Sequence, residues 1–278
     1  GGGQRLPGPA GRAALAGGPS DFQARFGLKP RPLQALIDDL DPSDDNTRLI
    51  IAESETGSGK TEAALNWFFK LFAAGKVDGL YFALPTRVAA RELYGRVHRT
   101  IEKWFPDPDT RPVTLLAVPG YAQVDGMPAE RYLPVEEEAG RVPDSEDLRQ
   151  ERRWAAERPK RFLAAAVAVG TIDQALLSVV QTAHAHLRSV CLDRSLLVVD
   201  EVHASDIYMS RLLEALLRHH LAVGGRALLL SATLGARARH RFTQVVASSV
   251  VALPGAADAA AAPYPSVTLA DGLPRPAA

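Results

Sequence analysis

Cysteine is almost absent from this sequence of 278 residues, in which Cys191 is the only one. A single thiol cannot form a disulfide framework, so the composition favours a reducing compartment and predicts a cytoplasmic protein. No apolar run reaches the roughly 18 residues that suggest a membrane span. Residues 1–20 are rich in Gly, Pro and Ala and lack the apolar core of a signal peptide, so they are predicted to be a flexible lead-in without a membrane partner.

An excess of charge of either sign is also missing. Lys+Arg and Asp+Glu both total 32, which gives a net charge of zero. This balance excludes a global basic field as the means of attracting nucleic acid, so any strand binding must rely on local contacts. The hydrophobic content of 46% is enough for one large domain with a core or for two small ones.

Apolar runs alternate with helical patterns along most of the chain. Strands are predicted at 48–52, 80–84, 113–118, 164–169, 195–199 and 227–230, and helices at 33–40, 60–74, 89–105, 172–187 and around 209–217. This alternation predicts an α/β fold with a mostly parallel sheet and helices on both faces. The pattern breaks at about 122–157, which is predicted to be a surface insertion. Residues 252–278 have the Ala/Pro-rich composition of a linker, within which Val267 to Leu269 has the pattern of one further strand.

A glycine-rich segment, Ser54-Glu-Thr-Gly-Ser-Gly-Lys-Thr61, lies directly between a predicted strand and a predicted helix. This is the context of a phosphate-binding loop, whose backbone N–H groups surround the phosphates of a nucleotide. Lys60 would place a cation on the phosphates, and the Thr61 hydroxyl would ligate Mg²⁺. The segment therefore predicts that ATP and Mg²⁺ are bound by Thr56, Gly57, Ser58, Gly59, Lys60 and Thr61.

Two more polar segments follow predicted strands, Asp200-Glu-Val-His203 and Ser231-Ala-Thr233. Asp200 would hold Mg²⁺ and Glu201 would polarise the attacking water, so both are predicted to be catalytic together with Lys60. His203 is predicted to act with them and to couple the nucleotide site to the strand-binding side. Ser231 and Thr233 are predicted to form a hinge that senses hydrolysis. Taken in isolation, either segment can also be interpreted as a helix cap.

These segments resemble the first three core motifs of superfamily 2 helicases, and they resemble more closely the helicase half of the CRISPR-associated type I helicase-nuclease family. The resemblance extends from about Phe22 to Leu269 and is carried by Pro32-Leu33-Gln34, Gly59-Lys60-Thr61-Glu62-Ala63-Ala64, Leu84-Pro85-Thr86, Gly170-Thr171-Ile172-Asp173-Gln174, Asp200-Glu201-Val202-His203 and Tyr264-Pro265.

The resemblance implies a RecA-like ATP-binding domain over residues 21–251, with 252–278 leading to a second RecA-like domain that this chain lacks. It also implies an adenine contact and a strand-binding face, formed by Gln34 for adenine and by Pro85, Thr86, Arg87, Thr171, Asp173 and Gln174 for the strand. The residues alone leave alternatives open, since Gln34 and Arg87 suit a solvent-facing surface, and Thr171 and Asp173 suit helix caps.

The function expected from the resemblance is ATP-driven translocation on single-stranded DNA in CRISPR interference, with recruitment by a guide-RNA surveillance complex. Two alternatives remain open. One is another superfamily 2 motor, such as a restriction-system translocase or an RNA helicase, and the other is an ATP- and DNA-binding module with little turnover. The family's metal nuclease requires a His-Asp pair, and none of the seven histidines precedes Asp, so no nuclease domain is expected within this chain.

Overall fold

The computed structural model describes residues 21–108, 111–118, 123–128, 166–176, 194–202, 207–247 and 253–277. The predictions for residues 1–20, for most of the insertion, for Cys191 and for His203 lie outside the described residues. Among the helices that the structure describes, none is both long and apolar enough to cross a membrane.

Ten strands form one sheet in the described part of the chain. They are β1 (Leu49–Glu53), β2 (Gly79–Leu84), β3 (Thr114–Ala117), β4 (Gln123–Val124), β5 (Met127–Pro128), β6 (Val167–Thr171), β7 (Ser195–Val199), β8 (Arg226–Ser231), β9 (Ser266–Thr268) and β10 (Pro274–Pro276). Their spatial order is β10-β9-β1-β8-β7-β2-β6-β3-β4-β5. The six strands from β1 to β3 in that order are parallel, and the pairs at both ends are antiparallel.

Helices cover both faces of the sheet. They are α1 (Phe22–Phe26), α2 (Pro32–Asp38), α3 (Lys60–Ala73), α4 (Arg87–Trp104), α5 (Ile172–Leu176), α6 (Ile207–Ala222), α7 (Ala236–Thr243) and α8 (Ala256–Ala260), and a 3-10 helix spans Asp45–Arg48. Alternate strand residues point to opposite faces. In β1, Ile50 packs into the core under α2, α3 and α4, whereas Leu49 and Ile51 pack into the core under α5, α6 and α7. This double burial explains the continuous apolar runs, and the predicted α/β fold is confirmed.

The C-terminal segment differs from the predicted linker. β9 pairs antiparallel with β1, and β10 pairs with β9, so residues 266–276 complete one end of the sheet. Val267 is fully buried and Leu269 is 3% exposed. The Ala/Pro-rich composition concealed these strands because three residues are too few to give a clear period in the sequence. The further strand expected at Val267 to Leu269 is present, shifted by one residue.

A hairpin of β4 and β5 lies within the predicted insertion. Its turn residues Asp125 and Gly126 have φ values of 46° and 78°, which is the left-handed conformation that an Asp-Gly hairpin turn requires. β4 pairs with β3 through Val124 and Leu115, so the described part of the insertion extends the sheet at its other end.

Candidate functional site

The polar segments predicted from the sequence all follow the carboxyl ends of parallel strands, and the sheet order brings them to one edge. At this edge, Glu53 at the end of β1 is paired with Ser231 at the end of β8. Leu84 at the end of β2 is paired with Thr171 at the end of β6. The Ser-Ala-Thr segment after β8 therefore lies between the phosphate loop after β1 and the Asp-Glu segment after β7. Ligand sites of α/β sheets form at this edge, because the loops that follow parallel strands meet there.

The phosphate loop runs from the end of β1 to the start of α3. Gly57 and Gly59 have φ values of 80° and 85°, which glycine adopts without the steric cost that other residues pay. A Cβ on Gly59 would also lie 2.1 Å from the side-chain nitrogen of Gln34, so a larger residue there would displace the Gln34 amide. Ser54, which stands where the usual loop begins with glycine, is buried, and its hydroxyl lies 2.7 Å from the Ser58 hydroxyl.

The Lys60 ammonium lies against the loop itself. It donates to the carbonyl oxygens of Ser54 at 2.6 Å and Glu55 at 2.8 Å. Burial lowers the pKa of Lys60, and the negative charges of Asp200 and Glu201 oppose this lowering. Lys60 and the two carboxylates therefore act on each other across the edge of the sheet.

The Asp-Glu segment is fixed by hydrogen bonds to the neighbouring strands. The Asp200 N–H donates to the Ala83 carbonyl at 3.0 Å, and the Asp200 carboxylate accepts the Glu201 N–H at 2.9 Å. Burial raises the pKa of Asp200, while the Glu201 N–H and the Lys60 charge act against it. Glu201 is exposed and has a φ of 55°, and such strained backbone is common at functional sites.

The Ser-Ala-Thr segment contacts its neighbours on both sides. The Ser231 carbonyl accepts the Ser54 N–H at 3.1 Å, and the Ser231 hydroxyl donates to the Val202 carbonyl at 2.7 Å. The Thr233 N–H donates to the Ser231 hydroxyl at 3.2 Å. Ser231 therefore connects the phosphate loop with the residues that follow Glu201, while the hinge role of Ser231 and Thr233 stays a prediction.

Gln34 is 5% exposed, so the solvent-facing alternative is wrong. Its side-chain oxygen accepts the Arg31 N–H at 2.9 Å, and its side-chain nitrogen donates to the Gly59 carbonyl at 3.0 Å. The Arg31 guanidinium also donates to the Gly57 carbonyl. A cleft of about 260 Å³ lies here, lined by Arg31, Pro32, Leu33, residues 54–58 and Pro265. The adenine contact of Gln34 stays a prediction.

The residues predicted to bind a strand divide into exposed and buried positions. Pro85, Thr86 and Arg87 are exposed, and the Thr86 hydroxyl accepts the Ala89 N–H at 3.1 Å as the cap of α4. Asp173 is exposed and Gln174 is half-buried, at the adjacent strand end.

Thr171, by contrast, is 6% exposed at the end of β6. Its carbonyl accepts the Tyr81 hydroxyl at 3.0 Å. Gly170 has to be glycine because a Cβ would lie 2.5 Å from that hydroxyl. The backbone of this segment is therefore fixed by the sheet, whereas its contact with a strand stays a prediction.

Sequence reasoning missed Arg31, Glu53 and Arg239. Glu53 and Arg239 form an ion pair buried at the edge of the sheet, with side chains 6% and 10% exposed. A carboxylate at the end of an otherwise apolar strand is the one signal that the sequence offered. Its partner lies 186 positions away, so local pattern reasoning had no means of finding the pair.

The fold and the polar edge together define a RecA-like helicase domain. No family model matches the chain. The CRISPR-associated endonuclease/helicase Cas3 of Escherichia coli (strain K12) is 35% identical over 216 residues, which cover 78% of this chain and 23% of that protein. The protein of the same description from Thermus thermophilus is 36% identical over 227 residues, which cover 80% of this chain and 24% of that protein.

Solved structures agree with this likeness. The crystal structure of T. fusca Cas3-ATP matches with a TM-score of 0.67 and 28% identity, over 94% of this chain and 30% of that chain. A chain of a CRISPR RNA-guided surveillance complex, in the pre-nicking state, matches with a TM-score of 0.55 and 27% identity, over 86% of this chain and 23% of that chain. This chain is homologous to the Cas3 helicase-nucleases, and it spans about a quarter of the curated relatives it matches.

Proposed function

We propose that the chain is the first RecA-like half of an ATP-dependent motor that moves along single-stranded DNA in CRISPR interference. The observation that carries this proposal is the position of the Lys60 ammonium, which donates to two carbonyls of the phosphate loop at the sheet edge where β7 leads into Asp200 and Glu201. A lysine on a glycine-rich turn, with two carboxylates at the same edge, is the arrangement that binds a nucleoside triphosphate and cleaves its terminal phosphate bond.

The residues at this edge fit Mg²⁺ bound together with ATP. Mg²⁺ takes oxygen ligands, and at nucleotide sites it needs only one or two protein groups beside phosphates and water. Thr61 offers a hydroxyl and Asp200 a carboxylate. Within the described ranges, no group of three or more His, Cys, Asp or Glu is placed to hold a metal ion. When bound, Mg²⁺ neutralises charge on the phosphate oxygens.

The reaction we propose is hydrolysis of the terminal phosphate bond by water. When ATP binds, the Lys60 ammonium donates to phosphate oxygens instead of the carbonyls of Ser54 and Glu55. This contact holds the terminal phosphate in line with the attacking water. The exposed Glu201 carboxylate accepts a hydrogen bond from the attacking water and orients it. As the water oxygen bonds to the terminal phosphorus, the bond from that phosphorus to the oxygen of the leaving nucleoside diphosphate breaks, and the water's proton passes to the Glu201 carboxylate.

The strand-binding part of the proposal rests on the helix starts that follow β2 and β6. These strands are neighbours, so Arg87 at the start of α4 and Asp173 in the first turn of α5 lie at the same edge. Arg87 offers a cation and the capped start of α4 offers backbone N–H groups, which are the donors that bind phosphates without reading sequence. The similarity to a chain of a CRISPR RNA-guided surveillance complex supports an association of this protein with such a complex.

A second candidate function is an ATP- and DNA-binding module that turns over slowly, because the same edge of the sheet could bind both ligands without rapid hydrolysis. Both proposals need the same nucleotide site, and they differ in the expected rate of ATP hydrolysis.

Phosphate release from Mg-ATP by the purified chain, with and without single-stranded DNA, tests these proposals. We expect DNA to stimulate release and Lys60→Ala to abolish it, because the variant loses the charge-assisted bonds to the phosphates. Lys76→Ala, in the turn after α3, is the matched control and should behave like the wild type. Stimulation by RNA alone would favour another superfamily 2 motor. Binding of ATP and DNA without turnover would favour the binding module, and wild-type activity of Lys60→Ala would overturn the assignment of the loop.

A further inference from the structure

A buried ion pair lies directly beneath the phosphate loop. Arg239 of α7 donates to one carboxylate oxygen of Glu53 at 2.5 Å. The other oxygen accepts the backbone N–H groups of Leu234 at 3.2 Å and Gly235 at 3.4 Å. Glu53 is 4% exposed and Arg239 is 8% exposed, so water takes almost no part in this cluster. One carboxylate thus holds the start of α7 and the two residues after Thr233.

The position of Glu53 joins two segments of the nucleotide site. It is the last residue of β1, and its neighbour Ser54 provides a carbonyl to the Lys60 ammonium. It is also paired across the sheet with Ser231, the first residue of the Ser-Ala-Thr segment. A shift of residues 231–235 must therefore displace Glu53, and through it the carbonyl that Lys60 contacts.

The cost of such a pair makes it a poor means of stabilising the fold. Taking both charges out of water costs several kcal/mol, and apolar residues of similar volume often replace buried pairs without loss of stability. A carboxylate beside a loop that binds polyphosphate also repels the ligand unless a cation neutralises it. Arg239 supplies that cation, and Glu53 remains free to gather the two N–H groups.

We infer that Glu53, held by Arg239, is a positioning residue that makes the phosphate loop and the Ser-Ala-Thr segment move as one body. The inference rests on the proposed function and extends it. Neither side chain lines the cleft beside the phosphate loop, so we expect loss of the pair to leave nucleotide binding in place. What it removes is the thermodynamic coupling between the sites, which is reciprocal and measurable as a change in one affinity caused by the other ligand.

The test measures the Kd of a fluorescent non-hydrolysable ATP analogue with Mg²⁺, in the presence and absence of saturating single-stranded DNA. In the wild type, we expect DNA to change this Kd by at least about fivefold, the lower end of usual coupling. In Glu53→Gln/Arg239→Met, the Kd without DNA should stay within about threefold of the wild type, and the change caused by DNA should fall below about twofold.

A second ion pair of α7, whose arginine side chain is 30% exposed, provides the control. Arg241 of α7 lies 3.5 Å from Glu214 of α6, whose side chain is 10% exposed. Glu214→Gln/Arg241→Met removes an ion pair that joins α7 to α6 without touching the phosphate loop, so the coupling should persist. Glu53→Gln/Arg239→Gln, which removes both charges and keeps polar side chains at both positions, serves if the first double variant does not fold.

The outcomes separate this inference from the proposed function. A wild-type chain that binds no nucleotide would overturn the proposed function. A chain that binds both ligands without coupling, or a Glu53 variant that keeps the wild-type coupling, would overturn the inference alone. Equal loss of coupling in the Glu53 and Glu214 variants would also overturn it, because the effect would then be a general weakening of α7.

Discussion

Glu201 is the residue at which binding and chemistry can be separated. Its side chain is exposed, and it acts on the Lys60 ammonium of the phosphate loop through its charge. Glu201→Gln therefore keeps the shape of the side chain and removes the charge that orients water. We expect Mg-ATP to bind normally and hydrolysis to fall by about two orders of magnitude or more, the usual contribution of a general base. The measurements are equilibrium ATP binding and steady-state phosphate release.

The control for this prediction is Asp258→Asn, which removes an exposed carboxylate from α8 and should leave the rate unchanged. If Glu201→Gln lost ATP binding in proportion to hydrolysis, the carboxylate would have a structural role.

His220 controls stability at acid pH. Its Nε2 lies 3.1 Å from the Ser195 carbonyl and 3.0 Å from the Arg226 carbonyl, so it is the protonated nitrogen of a neutral ring. Burial lowers the pKa of His220 from 6.5 to about 4. Since the unfolded chain binds this proton more readily, the stability contribution is complete above pH 6.5 and decreases as the pH falls toward 4.

His220→Gln keeps a donor for the two carbonyls and cannot titrate. We expect the wild type to lose stability more steeply than this variant between pH 6.5 and pH 4, with a difference on the order of 1 kcal/mol per pH unit. Urea unfolding at pH 7, 6 and 5 measures it. His219→Gln, at the exposed neighbouring position, should keep the wild-type slope. Parallel slopes for the wild type and His220→Gln would contradict the prediction.

At the scale of helices and strands, the sequence predicted the parallel core well for a physical reason. Strands such as β7 and helices such as α3 carry long apolar patterns, and the loop Ser54–Thr61 marks the point where one becomes the other. The short antiparallel ends of the sheet have no such pattern, and the ion pair of Glu53 and Arg239 depends on tertiary contact alone. The site was therefore predicted where a local motif carries it and missed where distant residues meet.

The C-terminal strands are predicted to be part of the stable unit. Ending the chain after Ala262 removes β9 and β10 and uncovers β1, together with the apolar neighbours of Val267 and Leu269. Burying one such side chain contributes about 1.5–3 kcal/mol, so we expect the unfolding free energy to fall by several kcal/mol and nucleotide affinity to fall with it. Urea denaturation of both chains measures the change.

Asp271→Asn is the control for this truncation. It breaks the ion pair between Asp271 and Arg275, whose side chains are 25% and 36% exposed respectively. Exposed pairs of this kind contribute at most about 1 kcal/mol. An unchanged denaturation midpoint after truncation would support the original interpretation of residues 252–278 as a linker.

At the scale of the whole molecule, the zero net charge limits how the chain can hold a strand. Only local groups such as Arg87 contribute, so log affinity should fall against log salt with a slope of about −1 to −2, at roughly 0.7 counterions per neutralised phosphate of a single strand. Arg87→Ala should weaken binding to all base sequences alike and flatten the slope of log affinity against log salt by about one unit. Fluorescence anisotropy of labelled single-stranded DNA at several salt concentrations measures both effects.

Arg48→Ala is the control for the salt titration, because Arg48 precedes β1 at the opposite edge of the sheet. Its slope should equal that of the wild type. A slope near −5 in the wild type, or a strong preference for one base sequence, would show that the strand is held by another surface.

The last strand of the sheet, β10, consists of Pro274, Arg275 and Pro276 and forms one outer edge. Two of its three residues have no N–H group, and the residue between them is charged. The edge therefore offers almost no backbone N–H groups to a β-strand of a neighbouring molecule. Natural sheets resist edge-to-edge aggregation in this way. The sheet therefore ends at β10, and β1, which carries the phosphate loop, lies two strands in from this protected edge.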